Sequence, residues 1–352
     1  MDTFTLILYF SIILFSTLFG VGVERGNSIQ ERICRLLCFL TLWVPAALRY
    51  DIGTDYPAYE AFFYDTFSDY METGFQAIFA IVRWINNDPR LMFAIVAFLT
   101  YFPICFLLPK ERFPLVMFFF TVTFYLNTYS ILRQSLAVCI IAYAFYYFIQ
   151  NGGKIRFAIF VLIAALFHTS AILCLIFLFI KPVKSAKVIF IIIAAALAFV
   201  LLTDIVSILF NNAFFLATRY ADYASNEFSR ETELGSGLGW MIRLSLPVVV
   251  LLSTPRIIKQ NENFTYLIAA NLLYLCALIL CTRIYIFGRF VFCFHFVTFL
   301  SMAMIYDYLG KYRKIIVLGL ALLTLAYFYV SIFMDTTGAV GVCPYQSIFS
   351  VN

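Results

Sequence analysis

Ten apolar runs, each long enough to cross a bilayer and parted by more polar connections, leave this chain few ways to fold. They lie at 3–23, 31–48, 90–109, 113–129, 131–150, 188–210, 240–256, 264–282, 288–309 and 315–334. A transmembrane helix needs roughly 17 to 25 such residues. Inside lipid every backbone N–H and C=O must find its partner within the protein, so runs of this kind become helices. With 64% hydrophobic and 12% charged residues over 352 positions, a soluble globular domain is excluded. The expected fold is all-α: a polytopic transmembrane protein with ten crossings in a single membrane domain, 1–352. It has no soluble domain, internal repeat or low-complexity tract.

Charge assigns the sides. All eight lysines (110, 154, 181, 184, 187, 259, 311 and 314) sit in short connections between apolar runs, beside the arginines at 25, 32, 35, 112, 156, 256 and 313. Lys- and Arg-rich short loops mark the cytoplasmic face. The remaining nine arginines (49, 83, 90, 133, 219, 230, 243, 283 and 289) fall on the opposite side, where there is no lysine. Arginine offers a planar fork that grips phosphate bidentately and stays charged when half-buried. An arginine-only outer face therefore points to anion chemistry rather than solubility. Both termini are expected on that outer face. The net charge of +5 belongs mostly to the inner loops, so no nucleic-acid partner is expected.

Two segments break simple alternation. Residues 157–180 begin and end at basic inner loops, so they must cross an even number of times. At about 1.5 Å per residue they cannot cross twice. A re-entrant pair of short helices is expected, turning at FHTSA with His168 at its tip; such backbone survives only inside protein or beside a wet cavity. The stretch GFQAIFAIVRWINN, 74–87, is too short to span and reads as an interfacial helix within the outer loop 49–87. A second outer loop is expected at 211–239, and the tail 335–352 is expected outside, folded back over the outer face.

Three groups could carry chemistry. RYDIGTDYPAYEAFF, at 49–63, gathers Arg49, Asp51, Asp55, Glu60, Tyr56 and Tyr59. Its carboxylates and phenols suit sugar hydroxyls, and one carboxylate could serve as a general base; the alternative is a solvated loop. SILRQ brings Arg133 and Gln134 to the outer end of a crossing, near the FHTSA turn. An ionisable group at membrane depth is a functional candidate by default. His295, alone in FCFHFV, reads instead as a structural core histidine. The third group is Arg219, Arg243, Arg283 and Arg289, which could clamp a diphosphate or merely reach the headgroups. Tyr345, in CPYQSIF, could close the site. The nine cysteines and two histidines make no metal-binding pattern, and no nucleotide-binding motif occurs, so neither metal nor cofactor is expected. The N-terminus MDTFTLIL lacks the basic region of a cleavable signal.

Taken in order, RYDIGTDYPAYEAFF, NTYSILRQSLA, LIAALFHTSAI, RYADY and PYQSIF resemble the EpsG-like family of membrane polysaccharide polymerases, which includes the Wzy-type O-antigen polymerases. The resemblance covers roughly 45–350. It implies glycosyl transfer on the periplasmic face of a bacterial inner membrane. Undecaprenyl-diphosphate-linked oligosaccharide would be donor and acceptor, and undecaprenyl diphosphate would be released. It further implies contact with membrane lipid and a chain-length regulator protein as partner. On it, Arg49, Arg133, Arg219, Arg243, Arg283 and Arg289 are candidates for the diphosphate clamp, and His168 or Asp55 for the base. Asp51, Tyr56, Tyr59, Gln134 and Tyr345 would hold substrate. Two other classes stay open: a flippase or exporter of the same lipid-linked glycan, and a membrane O-acetyltransferase.

Overall fold

A computed structural model of the chain describes residues 2–65, 71–203, 238–282, 287–333 and 341–350. The described residues are helical almost throughout, with a single isolated bridge, Arg49 to Ser347. Helices α1 (Thr3–Arg25) and α2 (Ser28–Leu48) form an opening hairpin. Asp2 caps α1 at the Phe4 and Thr5 N–H groups, and a reciprocal Asn27–Gln30 capping box starts α2. The stretch between α2 and α5 then supplies α3 (Tyr56–Tyr64) and α4 (Thr73–Ile85). Asp88 caps α5 (Pro89–Phe102), which continues as a wider π turn from Pro103 to Leu107. Pro103 has no N–H to give to the regular helical ladder.

Helices α6 (Phe113–Thr123), α7 (Asn127–Ser130) and α8 (Leu132–Asn151) follow. Next come α9 (Lys154–Ala165) and a tight 3-10 stretch, Thr169–Leu178. This pair turns at Leu166–His168, and Lys154 Nζ donates to the Leu178 carbonyl at 2.9 Å. The chain therefore returns to the level it left. Helices α10 (Ala186–Leu202), α11 (Leu238–Leu252), α12 (Thr254–Gln260) and α13 (Thr265–Cys281) continue the bundle. It closes with α14 (Gly288–Cys293), α15 (Val297–Ile305) and α16 (Arg313–Phe333).

Among the described residues, five helices are long and apolar enough to cross a membrane: Thr3–Arg25, Pro89–Leu107, Leu132–Asn151, Glu262–Cys281 and Gly310–Phe333. The pair α11 and α12, bent by 47°, makes a sixth if counted as one span. Two apolar runs that read as continuous in sequence are interrupted. One breaks at 124–126, between α6 and α7, the other at 294–296, between α14 and α15.

The bundle core joins α1, α2, α6, α8, α13 and α15 around aromatic side chains. A second, smaller core belongs to α3, α4 and α5. It sets Phe75, Ile78, Phe79 and Val82 of α4 and Tyr59 and Phe63 of α3 against Met92, Phe93 and Val96 of α5. Trp84, 87% exposed, stands on the opposite side of α4 with Ile81 and Ile85. The tail 341–350 lies across the end of α2. The last-turn carbonyls of Pro45, Ala46 and Leu48 accept from Tyr345 Oη (2.8 Å), Arg49 Nη1 (2.5 Å) and the Ile348 N–H (2.9 Å). A helix end whose carbonyls would otherwise be orphaned is thus capped by a side chain and by residues 300 positions away.

Candidate active site

Where α3 and α4 meet α8 and the turn of the α9 hairpin, four elements converge on one polar cluster. Arg133 stands in the first turn of α8. Its Nη1 meets Glu72 Oε2 at 2.5 Å and its Nε donates to Tyr59 Oη at 3.1 Å. Nη2 is left without a partner among the described residues, in a side chain 28% exposed. Glu72, directly before α4, is only 9% exposed. Its Oε1 accepts from the N–H and the hydroxyl of Thr169, at 3.2 and 3.1 Å. One carboxylate therefore ties α4, α8 and the hairpin turn together. Burial raises the proton affinity of Glu72, but the Arg133 charge and the Thr169 N–H outweigh it, and its pKa lies below the ordinary carboxylate value.

Two close approaches let these elements meet. The Gly74 N–H donates to the Leu166 carbonyl at 2.8 Å, and a Cβ on Gly74 would sit 2.7 Å from that oxygen. Gly53, with φ of +100°, lies so close to the Tyr129 carbonyl that any side chain would overlap it. The Thr54 N–H beside it donates to Ser130 Oγ at 3.0 Å. This fixes Asp55 at the start of α3, where it accepts from Thr54 Oγ1 at 3.2 Å. Burial pushes the Asp55 carboxyl above its usual range, against the pull of the Thr54 hydroxyl and of the charges on Arg133 and Arg289.

His168 opens the 3-10 stretch. Its Nδ1 lies 2.7 Å from Ser170 Oγ and accepts from the Ser170 N–H at 3.3 Å. A neutral ring with Nδ1 as acceptor carries its proton on Nε2. Gln134 Nε2 donates to the same Ser170 Oγ at 3.3 Å and to the Arg289 carbonyl at 2.9 Å, joining α8 to α14. Cys293 Sγ donates to the Ser170 carbonyl at 3.2 Å. Asp55, Tyr59, Arg133, Gln134, His168 and Arg289 therefore share one site. Glu72, Thr169 and Ser170 complete it. Thr169 and Ser170 lay in the FHTSA turn, but nothing singled out Glu72 except its place directly before an amphipathic stretch.

Other sequence candidates lie elsewhere. Arg49 is 1% exposed. Its guanidinium is held by the Ala46 and Ile52 carbonyls and packs 5.0 Å from the Phe93 ring and 4.8 Å from that of Tyr129. Tyr345 is turned to Pro45. Tyr56 stacks on Phe93 with centroids 4.1 Å apart, and burial pushes its phenol up to about 12. Asp51 is exposed in a left-handed turn conformation. Arg243 lies against the rings of Trp240 and Tyr327 in α11 and α16. Arg219 and Arg283 lie outside the described residues. Among the described residues, no three of His, Cys, Asp and Glu gather closely enough to hold a metal ion.

No curated protein and no solved structure matches the chain. The EpsG family does, over residues 32–347. That stretch contains every residue of the cluster built here. The chain is a member of the EpsG family, membrane proteins of polysaccharide polymerisation.

Proposed function

We propose that the protein is a glycosyltransferase that joins undecaprenyl-diphosphate-linked oligosaccharide units on the periplasmic face of a bacterial inner membrane, as an O-antigen or related surface-polysaccharide polymerase. The observation that carries this is one polar cluster in which Glu72 and Tyr59 hold Arg133, Thr169 holds Glu72 and Gln134 holds the Arg289 carbonyl, in a chain of this family. An acceptor hydroxyl oxygen attacks the anomeric carbon of the donor's reducing-end sugar. The bond from that carbon to the diphosphate oxygen breaks, and its electron pair leaves with undecaprenyl diphosphate. Asp55 takes the hydroxyl proton, for which its raised proton affinity suits it. Arg133, through its unpaired Nη2 edge, and Arg289 balance the charge on the departing diphosphate.

His168, with Nδ1 engaged by Ser170, holds the hairpin turn beside Glu72 rather than serving as the base. Glu72 and Tyr59 act through Arg133 and are positioning residues. The α9 hairpin is read as re-entrant from the inner face. At about 1.5 Å per residue its first helix rises about 18 Å. Its turn, and the cluster on it, would then lie beneath the outer headgroup level, within reach of a diphosphate at the membrane surface. A chain-length regulator remains an expected partner.

The test is chain growth in cells. Arg133→Lys keeps the charge and loses the fork, so polymer should fall at least about tenfold with the protein still present in the membrane. Wild-type polymer from both Arg133→Lys and Arg133→Ala would remove Arg133 from the reaction.

A further inference from the structure

Consecutive residues of α8 hold consecutive residues of the hairpin turn. Arg133 reaches Thr169 through Glu72, and Gln134 reaches Ser170 directly. Gln134, in the first turn of α8, is 6% exposed, and its side-chain nitrogen makes two bonds. It donates to the Arg289 carbonyl at 2.9 Å and to Ser170 Oγ at 3.3 Å. The Ser170 carbonyl in turn accepts from Sγ of Cys293, the last residue of α14, at 3.2 Å. The hairpin turn is thus tied to α14 through an amide near one end of that helix and a thiol at the other.

Donors and acceptors along this path fit together in one direction. A backbone carbonyl only accepts, so the part of the Gln134 amide that faces Arg289 is its NH2 group. The second hydrogen of that group points at Ser170 Oγ. The hydroxyl oxygen therefore accepts there and has its own hydrogen to give. His168 Nδ1 lies 2.7 Å from it and also accepts from the Ser170 N–H at 3.3 Å. A ring nitrogen that receives two hydrogens carries none, so the His168 proton sits on Nε2. The whole sequence of bonds takes its direction from the carbonyl of Arg289.

We infer that Gln134 acts through its neighbours as a positioning residue. It sets where the backbone of Arg289 stands relative to Arg133, and it fixes the tautomer of His168. The first role rests on the polymerase reading, in which Arg133 and Arg289 serve one diphosphate; the second does not. Arg133 and Gln134 are adjacent on one helical turn, so a carbonyl held by Gln134 keeps α14 in a fixed relation to the Arg133 guanidinium. A shift of about 1 Å in such a relation can cost on the order of 10²-fold in rate.

The experiment reads isotope-labelled histidine ring nitrogens by NMR on the full-length protein in nanodiscs, at about pH 8, where a free imidazole is neutral. The chain has two histidines, and the signals lost in His168→Gln identify the ring. Wild type should show a bare Nδ1 and a protonated Nε2. Gln134→Glu keeps the shape, but its second oxygen accepts where the amide donated, and so draws the Ser170 hydrogen away from the ring. The His168 proton should then move to Nδ1. Carrier release from the undecaprenyl-diphosphate-linked unit should slow about tenfold or more, with KM near wild type. Adding Ser170→Ala to Gln134→Glu leaves the carboxyl no hydroxyl to draw on, and the ring should return to its Nε2–H form. A His168 ring unchanged in Gln134→Glu, or carrier release from that variant at the wild-type rate, overturns the proposal. A ring that moves as stated, in a protein whose wild type makes no polymer from its native lipid-linked unit, would leave the tautomer control standing and overturn the polymerase reading.

Discussion

Arg133 is held by two partners whose loss would act differently. Tyr59 offers a neutral oxygen and Glu72 a charge that is only 9% exposed. Glu72→Gln keeps the shape but leaves a half-buried guanidinium without its counter-charge. We expect a stability loss of about 1–3 kcal/mol, read as a lower unfolding midpoint, with a matching fall in polymer. Tyr59→Phe should cost less than about 1 kcal/mol. The two acids also respond oppositely to pH. Glu72 has a folded pKa below its ordinary 4.5. Its stabilisation is present above that value and lost as pH falls through the lower folded value. Asp55 is raised above 3.8 by burial, so ionising it opposes folding and stability is lost as pH rises through its folded pKa. Asp55→Asn should therefore raise the unfolding midpoint at pH 7 while lowering turnover by about 10²–10⁴. It should also abolish the acid limb of the rate profile; an unchanged limb would take Asp55 out of the base role.

At the scale of elements, the site depends on α4 lying flush on the hairpin turn. Gly74→Val would place carbon against the Leu166 carbonyl, prise Glu72 from Thr169 and lower chain growth without touching a reacting group. Activity equal to wild type, with a normal unfolding midpoint, would contradict that coupling. Arg49 belongs to a different device, the cap of α2. Arg49→Met leaves the Ala46 and Ile52 carbonyls unsatisfied and should cost about 2–4 kcal/mol. The polymer made per folded molecule should stay near wild type, the reverse of what a clamp residue would give. The α4 helix was legible because GFQAIFAIVRWINN is apolar yet too short to span, and the hairpin because basic loops at both ends fix its parity. The breaks at 124–126 and 294–296 were not. Phe124-Tyr125-Leu126 and Phe294-His295-Phe296 carry neither proline nor glycine, so nothing local marks an interruption that tertiary packing imposes. Nor could spacing show that Tyr345 and Ile348 cap a helix 300 residues earlier.

For the whole molecule, the asymmetry between lysine and arginine pointed to an outer face and to anions. What charge alone could not do was sort the arginines. Arg49, Arg133 and Arg243 look alike in sequence, each near the end of an apolar run. They differ only in what the fold places beside them: carbonyls, a carboxylate, or two aromatic rings. On the proposed function, this one chain joins lipid-linked glycan units and releases their carrier. The most direct measurement gives purified protein in nanodiscs a defined undecaprenyl-diphosphate-linked repeat unit, then resolves products on a gel and counts free undecaprenyl diphosphate. A polymerase should give a ladder with one carrier released per added unit, lost in Asp55→Asn. Folded protein that consumes no native repeat unit, or that moves it across the bilayer without lengthening it, would not be a polymerase.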